Sequence, residues 1–305
     1  MISGFMQQLR LIWVYIWGAA ALIACTAAQP PNRPIPTPIL PVTGPLAHPT
    51  PMLNDVPTVP TLTPTAAVLT SPTPMPDTDW QLLRPGLERR LIRLLDENER
   101  LQERLYLLRL QPELYRLTVA YRPGEAQSIS AWQAETGALL VVNGGFFTEE
   151  LLATGRIVVD GIGSGLSYRN FGGMLAITAD SLEIRSLAER PYDPGEALQY
   201  ALQSFPLLVN PGGKIGFPEE DSLRGRRTVV ALDRNGRLLF ILAPNGSFTL
   251  HELSRYLVES DLDIEIALNL DGGTSTGLRL ANPAEEIPAF VPLPVVIDNY
   301  PEFDE

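Results

Sequence analysis

Residues 264–276 read Ile-Glu-Ile-Ala-Leu-Asn-Leu-Asp-Gly-Gly-Thr-Ser-Thr, and residues 138–147 read Ala-Leu-Leu-Val-Val-Asn-Gly-Gly-Phe-Phe. Each is an apolar run of strand length that closes on a polar residue and two glycines. Glycine at a strand end lets a ligand or another backbone come close, and Asn143 offers both a donor and an acceptor. Asp271 is followed by three hydroxyls, Thr274, Ser275 and Thr276, and such a loop suits phosphate or sugar oxygens. Taken singly, each stretch is also what an ordinary strand-end turn looks like, the second of the Asx type.

Working outward, strand-like runs recur at 114–121, 156–159, 174–178, 182–186, 228–232, 238–242 and 295–298. Helices are expected around 127–135, 194–201 and 249–260. Asn235-Gly236 between two apolar runs signals a hairpin. Many strands with few helices predict an α+β domain over 112–305, built on a large mixed β-sheet with a few packed helices. Ahead of it, 86–111 is rich in Leu, Glu and Arg and stops at Pro112, which predicts a long amphipathic helix over 80–111. Leu87, Leu91, Leu94, Asn98, Leu101, Leu105 and Leu108 alternate spacings of four and three, as in a coiled-coil seam with Asn98 at an a position. Two readings follow: a parallel homodimer through 87–108, or a helix lying on its own domain.

The chain has 305 residues and a formal net charge of −12, and 15 of its 29 prolines fall between Pro30 and Pro76. A Pro/Thr stretch of that kind cannot bury enough apolar surface to fold, so 26–79 is expected to be a disordered linker. Residues 11–24 form a short apolar run ending Leu22-Ile23-Ala24-Cys25, too short for a membrane span but suited to a signal-peptide core. The four residues resemble a bacterial lipobox, which implies cleavage before Cys25, lipidation of its thiol and an extracytoplasmic, membrane-anchored protein with 1–25 as its signal peptide. The other reading is an uncleaved anchor with an incidental cysteine, and both place the rest of the chain outside the cytoplasm. An acidic chain without a basic cluster is a poor match for nucleic acid. One cysteine excludes an intrachain disulfide and a multi-cysteine zinc site. No cofactor is identified from the sequence, and a bound divalent metal stays open.

Arg226-Arg227-Thr228 opens a strand, and an arginine there can pair bidentately with a phosphate or carboxylate, although a strand-start Arg is often a plain surface charge. Together with Asn143-Gly144-Gly145-Phe146-Phe147, Phe205-Pro206-Leu207-Leu208-Val209, Gly212-Gly213-Lys214, Thr249-Leu250 with Glu252-Leu253, and Asn269-Leu270-Asp271-Gly272-Gly273, it resembles the phosphodiester glycosidase family in order and spacing over roughly 114–300. Two positions depart from the family pattern: Thr274 where a Ser is usual, and Ala231 where a Gly is common.

The resemblance implies hydrolysis of a sugar-1-phosphodiester, with envelope or extracellular glycopolymers as the substrate class. The phosphate is already a good leaving group, so the chemistry asks mainly for an anion clamp and a carboxylate near the anomeric carbon. Arg227 is the candidate clamp, Asp271 the candidate carboxylate and Asn143 a third catalytic candidate. Gly144, Gly145, Asn269, Gly272, Gly273, Thr274, Ser275 and Thr276 are candidates for holding sugar and phosphate. Glu149, Glu150 and Asp160 match no motif but are available as a second carboxylate. The competing reading is a surface lipoprotein that binds carbohydrate or phosphate on the same fold without turnover. Gly161-Ile162-Gly163-Ser164-Gly165 lacks the following helix of a dinucleotide site, and His251 has no nucleophile elbow to serve. Asp261, Asp263 and Glu265 alternate like calcium ligands but lack the loop glycine.

Overall fold

The computed structural model describes residues 77–303. The signal peptide, Cys25 and nearly all of the proline-rich linker lie outside the described residues. In chain order the strands are β1 (Gln81–Arg84), β2 (Leu87–Leu95), β3 (Leu101–Leu110), β4 (Tyr115–Tyr121), β5 (Leu140–Asn143), β6 (Ile157–Val159), β7 (Ile162–Ser164), β8 (Gly173–Ile177) and β9 (Leu182–Ser186). They continue with β10 (Tyr200–Ser204), β11 (Leu207–Asn210), β12 (Lys214–Ile215), β13 (Gly225–Asp233), β14 (Leu238–Phe248), β15 (Ile264–Asn269), β16 (Leu278–Leu280), β17 (Glu285–Ile287) and β18 (Val295–Pro301). Two α-helices accompany them, α1 (Ile129–Thr136) and α2 (Leu250–Glu259).

The expected single mixed sheet is instead three sheets, ordered β1-β2-β3-β14-β13-β15-β11-β12, β7-β6-β10-β8-β9 and β17-β16-β5-β18-β4. Every strand pair in them is antiparallel. The domain is thus β-rich α+β. Its main core draws Leu91, Tyr106, Phe240 and Leu268 from the first sheet, Leu175 and Leu202 from the second, and Leu117, Leu140 and Ile297 from the third. A second core fills the space between the other face of the eight-stranded sheet and α2, around Leu105, Leu107, Leu253 and Leu257.

The long helix expected over 80–111 is not there. Residues 81–110 form β1, β2 and β3, and β3 pairs with β14, so this segment belongs to the folded domain and no boundary falls at 112. The reason is burial on both faces of the strands. Leu87 and Leu91, with Tyr106, Leu108 and Leu110 across the ladder, pack into the main core. Residues of the other parity, Ile92 and Leu94 with Leu105 and Leu107, pack against the second core. Leucines at both parities erase the two-residue period and imitate a helical stripe. Asn98 lies in the exposed turn, where the Asp96 carboxylate accepts from the Asn98 and Arg100 backbone N–H groups at 2.8 and 2.9 Å. The coiled-coil seam, and the parallel dimer through 87–108 that depended on it, therefore have no helix to rest on. Asn98→Leu should change stability by less than about 0.5 kcal/mol and leave the sedimentation coefficient unaltered.

Where local chemistry is unambiguous, the expected elements form. Ser128 caps α1 by accepting from Ala131 N at 3.1 Å, and Gly137 ends it with φ +68°. Thr249 and Glu252 close a capping box on α2. Asn235-Gly236 turns between β13 and β14, with Gly236 at φ +77°. The helix expected at 194–201 is absent: Asp193-Pro194-Gly195 makes an Asx turn, its carboxylate accepting from Gly195 N at 2.9 Å, and Tyr200 opens β10.

One buried charge sets a pH dependence. Asp298 stands in β18 opposite Thr118 and Val141 and is 1% exposed. Burial, with the negative charge of Glu135 added, pushes its carboxyl up to about 7. Below the unfolded value near 4 both states are protonated and nothing is lost; between about 4 and 7 the unfolded chain ionises while the folded carboxyl resists, so stability falls until the folded group also ionises above about 7. Asp298→Asn should thus match the wild type in urea unfolding at pH 4 and exceed it at pH 8, by about 1–4 kcal/mol.

Candidate active site

Asn143 and Asp271 end strands of different sheets, not neighbouring strands of one, yet their ends meet. Asp271 N donates to Gly144 O at 3.1 Å, and Asn143 Nδ2 donates to Asp271 O at 2.8 Å. The other side of the Asn143 amide accepts from Thr228 Oγ1 at 2.8 Å and from Gly277 N at 3.0 Å. Asn143 is fully buried with all of its hydrogen-bonding capacity spent on protein. It is a strut joining β5, β13 and the Asp271 loop, not a group that touches a ligand.

The glycines divide in the same way. A Cβ on Gly144 would stand 2.8 Å from the Val295 side chain, and one on Gly145 3.1 Å from Gln203 O. Those two glycines let β18 and β10 approach the strand end. A Cβ on Gly272 would meet Arg226 O at 2.7 Å, so Gly272 packs the Asp271 loop on β13 while also lining the cleft. Gly273, at φ +59°, faces open space. Beyond it Thr274 is exposed, whereas Ser275 and Thr276 are buried.

The cleft at this junction encloses about 400 Å³. Phe146, Phe171, Phe205, Pro206, Phe217 and Leu250 form its walls, and Arg227, Asn269 and Gly272 supply the polar lining. Asp271 directly precedes the lining residue Gly272 and sits beside the cleft without lining it; Leu270, between it and Asn269, is buried in the main core. Burial pushes its carboxyl above the usual aspartate range, while the Ser275 hydroxyl and the Gly272 N–H, at 2.9 Å, pull part of the way back. Arg227 Nε donates to Phe248 O at 3.3 Å and Nη2 donates to Leu223 O, which holds the guanidinium by one edge. Burial lowers its pKa and the charge of Asp221 opposes that. Arg226, next to it, points elsewhere: it lies over the Phe290 ring at 4.1 Å and donates to Pro288 O at 2.9 Å.

The aromatic wall is what reading the sequence missed. Phe146 stacks on Phe205 at 4.6 Å between centroids, Phe171 stands 5.1 Å from Phe205 and Tyr168 5.4 Å. Asn269 Nδ2 donates to Phe205 O at 2.9 Å, and buried Gln203 accepts from Tyr168 N at 2.9 Å, so each fixes one part of the wall. Burial raises the Tyr168 hydroxyl and the nearby Asp271 charge raises it further, against the bond from Thr154. The signal available in the sequence was four phenylalanines at Gly- or Pro-flanked positions, 146, 171, 205 and 217. Glu149, Glu150 and Asp160 do not line the cleft; Asp160 bonds Tyr200 in another groove. His251 Nδ1 bonds Phe217 O at 3.1 Å. Among the described residues no three His, Cys, Asp or Glu side chains gather as a metal site requires.

The domain is β-rich α+β, with a cleft where its sheets meet that is lined by a half-buried arginine and an aromatic wall and bordered by the Asp271 loop. The chain belongs to the phosphodiester glycosidase family, whose model matches residues 136–297. Among solved structures the zebrafish N-acetylglucosamine-1-phosphodiester alpha-N-acetylglucosaminidase catalytic domain, auto-inhibited by its pro-peptide, shares the fold at TM-score 0.55 and 16% identity, over 74% of this chain and 87% of that one. A hypothetical protein from Synechocystis matches at TM-score 0.53 and 14% identity, over 75% of this chain; this chain spans 64% of that one. No curated protein matches the chain.

Proposed function

We propose that the protein hydrolyses sugar-1-phosphodiesters, releasing the free sugar and leaving a phosphomonoester on the acceptor. Water adds to the anomeric carbon as the bond to the phosphate oxygen breaks. Arg227 pairs with the phosphate oxygens as they gain charge, and the Asp271 carboxylate faces the positive charge that develops on the sugar ring. The observation that carries this reading is the placement of Asp271 beside a cleft whose single charged lining residue is Arg227. Ser275, bonded to Asp271, orients the carboxylate, and Thr274 and the open backbone at Gly273 lie where a sugar or phosphate oxygen can reach them.

The natural first probe is the linkage named for the zebrafish relative, N-acetylglucosamine joined through a 1-phosphodiester, within a panel that varies the sugar. Free sugar released by the protein, and lost with Arg227→Ala, supports the reading. Tight binding of the same diesters without release would instead make the chain a carbohydrate- or phosphate-binding module. The Leu22-Ile23-Ala24-Cys25 stretch supports a lipid-anchored, extracytoplasmic location, with substrate in the envelope or outside it. Globomycin sensitivity of processing and loss of membrane association in Cys25→Ser would test the anchor.

A further inference from the structure

Glu103, in β3, is fully buried. Its carboxylate accepts from Asn245 N at 2.9 Å, Ser247 N at 3.1 Å, Ser247 Oγ at 2.9 Å and Arg104 N at 3.0 Å. All four partners are donors, which suits a carboxylate; an amide there would turn a donor toward donors. A buried charge persists where bonds of this kind replace its water. Three of the four tie it to one short stretch of β14.

That stretch is where β14 leaves its ladder. Arg227 pairs with Ala243 and Gly225 with Phe248, so Arg226 alone stands opposite residues 244–247. At the tip of this bulge Gly246 has φ +79°, and a Cβ there would stand 3.3 Å from Arg226 N. Phe248 brings the strand back, and its carbonyl accepts from Arg227 Nε at 3.3 Å. Ser247 O, one residue earlier, accepts from Arg224, whose guanidinium pairs with Glu252 of the α2 capping box. A bulge re-aims the side chains beside it, and this one is anchored by a buried carboxylate on the next strand.

We propose that Glu103 is a positioning residue for the Arg227 clamp: it pins the 245–247 bulge so that Phe248 O meets Arg227 Nε and the guanidinium stays on the cleft wall. Its consequence for turnover rests on the hydrolysis proposed above, whereas its hold on Arg227 does not. Glu103 belongs to the 81–110 segment, which lies outside the residues the family model matches, so no family motif marks it.

The test reads hydrogen exchange at the Arg227 Nε–H by NMR in the full chain, with the signal assigned by its loss in Arg227→Lys. The Arg109 Nε–H, bonded to Glu88 at 2.8 Å, is the reference. Glu103→Gln should speed exchange about fivefold or more at Arg227 and less than about twofold at Arg109. It should also lower kcat/KM for the methyl diester of N-acetylglucosamine-1-phosphate about tenfold or more. Equal acceleration at both arginines marks a general loosening and overturns the proposal, as does an unmoved Arg227. A faster Arg227 with unchanged kcat/KM overturns it as well. Should the wild type release no sugar from any diester, hydrolysis fails and the exchange measurement alone decides the positioning. If Glu103→Gln does not fold, Ser247→Ala takes its place, since it removes only the hydroxyl bond. Exchange at Arg227 should then rise about two- to threefold with Arg109 unmoved, and no difference between the two overturns the proposal.

Discussion

Asp271→Asn is expected to lower sugar release roughly 10²–10⁴-fold, with the fold retained. The amide keeps the shape of the carboxylate and can still accept from Gly272 N and meet Ser275, so the loop has no reason to move. It also removes a charge that burial already disfavours, so urea unfolding at pH 7 should show equal or greater stability. The same burial predicts the pH profile. A carboxyl raised above the ordinary aspartate value stays protonated to higher pH, so the acid limb of kcat/KM should lie above about 4 and disappear with the residual activity of the variant. Unchanged turnover in Asp271→Asn would remove the carboxylate from the mechanism.

Asn143→Ala should be the more damaging change to the fold. It strips a partner from the Thr228 hydroxyl, the Gly277 N–H and the Asp271 carbonyl in a site without room for water exchange. Each stranded buried group costs about 1–3 kcal/mol, so a loss of about 3 kcal/mol or more is expected in chemical denaturation. Activity at temperatures where the variant is still folded should fall too, because the Asp271 loop is no longer pinned to the end of β5. Asn143→Asp separates the two effects: it keeps the acceptors for Thr228 and Gly277 but cannot donate to Asp271 O. It should recover part of the stability and little of the turnover. If it restored both, the bond to the Asp271 carbonyl would have no positioning role.

The two predictions also show where reading along the chain stops. Asn143 and Asp271 are marked by the same local pattern, an apolar strand closing on a polar residue and Gly-Gly. Nothing in that pattern distinguishes a side chain that sits beside the cleft from one turned inward onto three protein partners. The glycines pose the same ambiguity: Gly144 and Gly145 make room for other strands, and Gly273 makes room for nothing in the protein. The aromatic wall collects Phe146, Phe171, Phe205 and Phe217 from segments spread over some seventy residues. No spacing rule connects them.

What the sequence by itself determined is the chemistry that is local or motif-borne: nine strands, the two helix caps, the Asn235-Gly236 turn and the family, all carried by residues a few positions apart. What only the tertiary structure decided is the state of 81–110 and the division of labour within the site. Leu, Glu and Arg favour a helix when nothing else intervenes. Here β3 pairs with β14 along five residues, and cores on both faces take up leucines of either parity. Propensity is worth tenths of a kcal/mol per residue, whereas each large side chain taken out of water contributes about 1.5–3 kcal/mol. The ladder and the two cores win that comparison, and neither is present until distant parts of the chain have met.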